Sequence, residues 1–117
     1  MAQLWMIERD VTGWSDEEVE AAGIRAKICA PWYPNMEWVR SYFDREGART
    51  VCFYRAESEG DIRTHALFSG LPCDSVVPVE EVLPGDLEDP APELAADLRH
   101  RFESAEALQA AAPNPRS

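Results

Sequence analysis

Basic residues are scarce in this sequence: 11 Lys and Arg stand against 22 Asp and Glu, for a formal net charge of −11. A surface of that sign repels phosphates and anionic headgroups, so neither nucleic acid nor a membrane surface is expected as a partner. The acidic excess is spread along the whole chain and reads as general solubility with a mild attraction for cations. Histidine is rarer still, with only His65 and His100. The three cysteines, Cys29, Cys52 and Cys73, are odd in number and lack CxxC spacing. That excludes a disulfide framework and a cysteine-only zinc site, and leaves free thiols. No HExxH, EF-hand loop, GxGxxG, GxxxxGK[ST] or GxSxG occurs, so metalloprotease, calcium, nucleotide and serine-hydrolase readings lose their usual support. No stretch approaches the roughly 20 apolar residues of a spanning helix, and Met1 to Asp10 has no basic segment leading into an apolar one. A cytoplasmic location is therefore expected.

What is present suits one small core: 117 residues, 45% of them hydrophobic, with four Trp. Leu4 to Arg9 reads as a strand that turns out at Asp10, Thr12 and Gly13. Ser15 stands three residues before Glu18, a capping box, and Val19, Ala22, Ile24, Ala26 and Cys29 follow as a helical stripe until Pro31. Met36 to Phe43 and Arg49 to Arg55 are β-rich runs joined by Asp44-Arg45-Glu46-Gly47, which predicts a hairpin. Ser58 to Ser69 predicts a second helix, with Ile62, Ala66 and Ser69 on one face and Gly70 and Pro72 as stop signals. Val76 to Leu83 is the expected last strand.

The order βαββαβ predicts an α+β, ferredoxin-like sandwich over residues 1–84, with a four-stranded antiparallel sheet and two helices on one face. The other face would be open and aromatic, which predicts a homodimer with a cavity between two stacked sheets. Residues 85–117 read as a Pro- and Gly-rich linker and a C-terminal amphipathic helix carrying Leu94, Leu98, Phe102 and Leu108, with a frayed Ala-rich end.

Strand parity locates candidate chemistry. Glu8 shares a face with Met6, Trp38 with Arg40 and Tyr42, and Cys52 with Thr50 and Tyr54. Because the third strand lies beside the first in this topology, Glu8 is expected near Cys52 or Tyr54. His65 lies at the edge of an apolar helical stripe and is the candidate ligand histidine, since His100 is flanked by Arg99 and Arg101. Imidazole, carboxylate and thiol together suit nickel, zinc or copper better than calcium or magnesium. The plainer reading leaves Glu8 in solvent or paired with Arg40 or Arg55, with Cys52 as a small buried hydrophobe. A rival of another class is a dimeric α/β-barrel enzyme holding a small organic substrate between the sheets, with Glu8, Arg40, Tyr42 and Tyr54 supplying acid, base and anion contacts, Trp38 lining the pocket, and no one of them assigned as catalytic. The segment Ile28 to Trp38, with Trp32, Tyr33, Met36 and Trp38, reads either as loop packing over the end of the sheet or as the lip of an apolar pocket.

The ordered set Ile7-Glu8-Arg9-Asp10, Trp38-Val39-Arg40-Ser41-Tyr42, Cys52-Phe53-Tyr54-Arg55-Ala56 and Ile62-Arg63-Thr64-His65-Ala66, with Gly70-Leu71-Pro72, resembles a family of small bacterial nickel-binding, ferredoxin-like proteins. The resemblance spans roughly residues 3 to 84. It implies the βαββαβ fold, a homodimer and nickel as the bound metal, with no firmly established reaction. The matching polar positions are Glu8, Arg9, Ser41, Tyr42, Cys52, Tyr54 and His65, of which His65, Glu8 and Cys52 form the candidate metal set. The loop Pro31 to Pro34 and the C-terminal helix depart from the family core. One geometric condition follows: His65 meets Glu8 and Cys52 within one chain only if both point under the helices.

Overall fold

Ser15 opens the first helix in the way its spacing to Glu18 predicts. Its hydroxyl accepts from the Glu18 backbone N–H at 3.1 Å, and the Glu18 carboxylate accepts from the Ser15 N–H at 3.2 Å. The computed structural model describes residues 2–109. In chain order these give β1 (Gln3–Asp10), α1 (Asp16–Cys29), a 3₁₀ turn (Ala30–Trp32), β2 (Glu37–Asp44), β3 (Arg49–Ala56), α2 (Glu59–Ser69), β4 (Ser75–Pro78), a second 3₁₀ turn (Pro84–Asp86) and α3 (Pro92–Gln109). The chain divides into two compact units after Glu81.

The first unit is the ferredoxin-like sandwich. Its sheet has the order β2-β3-β1-β4, with every neighbouring pair antiparallel. β1 is central, and its run Leu4 to Ile7 is apolar on both faces: Trp5 pairs with Tyr54 and Ile7 with Cys52 across to β3, while Ile7 pairs with Val76 across to β4. These residues, with Ala56 and Ile62, form the core. Both helices lie on that face, since His65 of α2 packs on Tyr54 of β3 and bonds Ala26 of α1.

α1 buries Ala22, Ala26 and Cys29. Ile24, expected in the same stripe, is 53% exposed. Two positions from both Ala22 and Ala26, it lies on the opposite side of the helix from the buried row. α2 ends where Gly70 adopts φ 73°, a left-handed cap that lets the Leu71 N–H reach the Ala66 carbonyl at 2.9 Å. The last strand is shorter than expected, ending at Pro78 rather than Leu83. Proline has no N–H to continue a ladder, and the acidic pair Glu80-Glu81 follows it.

The second unit holds the second 3₁₀ turn and α3, where Leu94, Leu98, Phe102 and Leu108 are all more than half exposed. α3 is tied along its own surface by Arg101–Asp97 and Arg99–Glu103 pairs one turn apart. The frayed Ala-rich end expected beyond it lies outside the described residues. Among the described residues no helix is long and apolar enough to cross a membrane.

Candidate functional site

A single extra residue in β2 decides what faces the helices. Trp38 pairs with Tyr54, but the next pair is Arg40 with Phe53, so Val39 is a bulge and the alternation slips by one. Trp38, Ser41 and Phe43 therefore share the helix-covered face with Thr50, Cys52 and Tyr54. Arg40 and Tyr42 share the opposite face with Val51 and Phe53, where the Tyr42 and Phe53 rings meet edge to face at 6.3 Å. Trp38 meets Tyr54 in the same way at 6.0 Å, and its indole N–H donates to the Ser41 hydroxyl at 2.8 Å.

His65, Tyr54 and Arg9 are the largest of the polar side chains buried beneath the helices. His65 is fully buried between the rings of Tyr33 and Tyr54, with centroids 5.7 and 5.5 Å away. Its Nε2 bonds the Ala26 carbonyl at 2.9 Å, which places the proton on Nε2 and leaves the Nδ1 lone pair buried without a partner. Burial pushes this imidazole below its ordinary value of 6.5, with the Arg9 charge acting in the same sense and the Ala26 bond opposing it. Tyr54, 1% exposed, is pushed well above the usual phenol value, chiefly by burial, and stays a neutral donor. Arg9 is also 1% exposed. Its Nη1 donates to the Pro72 carbonyl at 2.8 Å, while Nε and Nη2 are buried with no hydrogen-bond partner.

Arg9, Cys52 and Tyr54 line a cavity of about 180 Å³ between the sheet and α1. Val19, Gly23 and Ala26 of α1 form its roof, Trp38, Phe43 and Leu71 add apolar wall, and Tyr42, whose ring meets Phe53 on the other face, borders it at the edge strand. Arg9 was legible as a family-matching position but not as a site residue. The signal for it was parity: it follows Trp5 and Ile7 in the inward register, where a charge is out of place.

The candidate metal set does not come together within one chain. Glu8 pairs with Val51, not Cys52, and stands on the opposite side of the sheet from Cys52 and His65. The expected adjacency of Glu8 to Cys52 or Tyr54 is thus corrected by one step of register. Cys52 contacts the Thr50 hydroxyl at 3.8 Å, and burial raises the nearby Cys73 thiol, which keeps it protonated. Among the described residues no three His, Cys, Asp or Glu side chains gather as a metal site. The residues of one chain therefore do not fit a nickel ion in this arrangement. Of the substrate contacts expected from the sequence, Trp38 and Tyr54 meet at the cavity and Tyr42 lines its edge. Arg40 is exposed on the other face and takes no part. The cavity lies between sheet and helices of one chain rather than between two sheets.

The geometry can be set beside known proteins. No curated protein matches the chain. Its fold is similar to the crystal structure of SCO4226 from Streptomyces coelicolor A3(2), with a TM-score of 0.60 and 14% identity over 68% of this chain and 99% of that one. The model of the family described as nickel responsive protein SCO4226-like matches residues 5–79, which span the sheet, both packed helices and the cavity. The chain belongs to this SCO4226-like family of nickel-responsive proteins.

Proposed function

We propose that this protein binds nickel or a similar divalent transition metal as a homodimer, with the ion held where two copies meet. Family membership over nearly the whole first unit supports the metal. The placement of Glu8 supports the shared site: it is the one residue of the candidate set on the face that α1 and α2 leave uncovered. Imidazole and thiol lie on the other side of the sheet. Met6, Val51, Phe53 and Tyr42 share the face with Glu8 and supply apolar surface for a second copy. A ligand set divided between copies makes metal affinity depend on assembly. Light scattering of the full chain should give a dimer, and calorimetric titration should show nickel binding. Phe53→Lys places a charge in the middle of the contact. It should give a folded monomer with at least about tenfold weaker nickel binding, the scale seen when the surroundings of a metal ligand are disrupted. A monomeric wild type that binds nickel would overturn the proposal.

A second reading is favoured by a separate observation. The cavity is lined by Trp38, Phe43 and Tyr54 and is bordered by a buried arginine with two donors that have no hydrogen-bond partner. Apolar walls with a few convergent polar groups are the usual form of a small-molecule site. This reading makes the first unit a binding domain for a small organic ligand, independent of the metal.

A further inference from the structure

We infer that the cavity under α1 takes a small organic carboxylate, with its anionic group on the Arg9 guanidinium and its apolar body against Val19, Trp38, Phe43 and Leu71. The inference rests on reading the cavity as a ligand site and adds what the ligand must be. Its basis is an imbalance. A guanidinium keeps its charge when buried and presents five N–H donors in a planar fork. Arg9 is 1% exposed, yet its Nε and Nη2 have no hydrogen-bond partner; Nη1 bonds Pro72, and the Tyr54 hydroxyl beside the guanidinium is neutral and supplies no counter-charge. None of the ion pairs formed among the described residues involves Arg9.

The missing counter-charge is not for want of acids, which outnumber bases 22 to 11 in this chain. No Asp or Glu lines the cavity. A buried cation surrounded by neutral groups is costly unless something anionic completes it, and sites of that kind are retained where a ligand supplies the missing charge. Planar two-point pairing is the geometry in which a guanidinium holds a carboxylate best. Ser41, Thr50 and Tyr54 line the same space and bring hydroxyls that can add a further hydrogen bond. The rest of the lining is apolar, which favours an acid with a hydrocarbon body over inorganic phosphate. Size agrees: an apolar cavity of about 150 Å³ holds a benzene ring, and this one is about 180 Å³.

The test uses the full chain, labelled for amide-resolved NMR, titrated separately with benzoate, hexanoate, benzyl alcohol and inorganic phosphate. Benzoate or hexanoate should give saturable shifts at Arg9, Thr50 and Trp38. Affinity should fall by at least about tenfold in Arg9→Met, as the loss of a charged hydrogen-bonding partner implies. Gly23 offers a second variant that leaves Arg9 intact. It lines the cavity on α1, and a Cβ there would meet open space, so Gly23→Leu fills the cavity without a clash at its root. Gly23→Leu should remain folded and lose the shifts, and it decides the matter if Arg9→Met does not fold. Benzyl alcohol binding as well as benzoate would overturn the carboxylate while leaving the cavity a ligand site. Phosphate binding as well as benzoate would overturn the organic acid. No saturable shift with any of the four would overturn both the inference and the reading of the cavity on which it rests.

Discussion

Replacing Tyr54 by alanine should lower the unfolding free energy by about 3–5 kcal/mol, the range for removing a large buried ring. The ring is 1% exposed and stands at the crossing of every layer of the first unit. It pairs with Trp5 on β1 and Trp38 on β2, and meets Trp38 and His65 edge to face. The existing cavity beside it gives the neighbours little reason to collapse inward, so the void would persist. Tyr54→Phe keeps the packing and removes only a hydroxyl that does not ionise near neutral pH, and should cost about 1 kcal/mol. Urea unfolding reads both, as a shifted midpoint at unchanged slope. A Tyr54→Ala midpoint close to wild type would contradict the packing described.

His65→Ala should cost about 2–4 kcal/mol, combining a lost buried ring with the lost bond to the Ala26 carbonyl. It also carries a pH signature. Burial holds the folded imidazole below its ordinary value of 6.5, so the unfolded chain takes up the proton first as the solution is acidified. The stability contributed by neutral His65 is therefore fully present above about pH 6.5 and is lost as pH falls from there through the lower folded value. Unfolding curves from pH 7.5 to 5 should show that loss in wild type and a shallower one in His65→Ala. Equal pH dependence in the two would show that this imidazole is not held neutral.

Much of the architecture was legible because its signals are local. The capping box at Ser15, the Gly70 stop and the apolar run from Leu4 that ends in charge at Glu8 and Arg9 before the turn at Gly13 each mark a boundary locally, and together they point to the βαββαβ sandwich. The site was less legible for two reasons of register. A bulge at Val39 is one residue of irregularity, with no Gly or Pro to announce it, yet it turns Arg40 away from Trp38 and delivers Ser41 and Phe43 to the cavity. The expected adjacency of Glu8 and Cys52 failed by the same step of one, because the hairpin and β1 align Ile7, not Glu8, with Cys52. The sequence marks His65 as the candidate ligand histidine at a helix edge, but its burial in the interior of the first unit depends on how α1 and α2 meet over Tyr54. Periodicity within one helix does not carry that information. Arg9 stands in the inward row with Ile7, and a charge in a core register is the kind of local conflict that accompanies a binding site.

Nickel affinity of Glu8→Gln and Cys52→Ser, measured side by side by calorimetry on the full chain, tests most directly whether the ion belongs to the uncovered sheet face or to the interior. Both substitutions are close in size to the residues they replace, and the two side chains lie on opposite faces of the same pair of strands. The expected result is a loss of about tenfold or more in Glu8→Gln, with Cys52→Ser indistinguishable from wild type. Undiminished binding in Glu8→Gln together with a loss in Cys52→Ser would contradict a metal site between copies and place it beneath the helices.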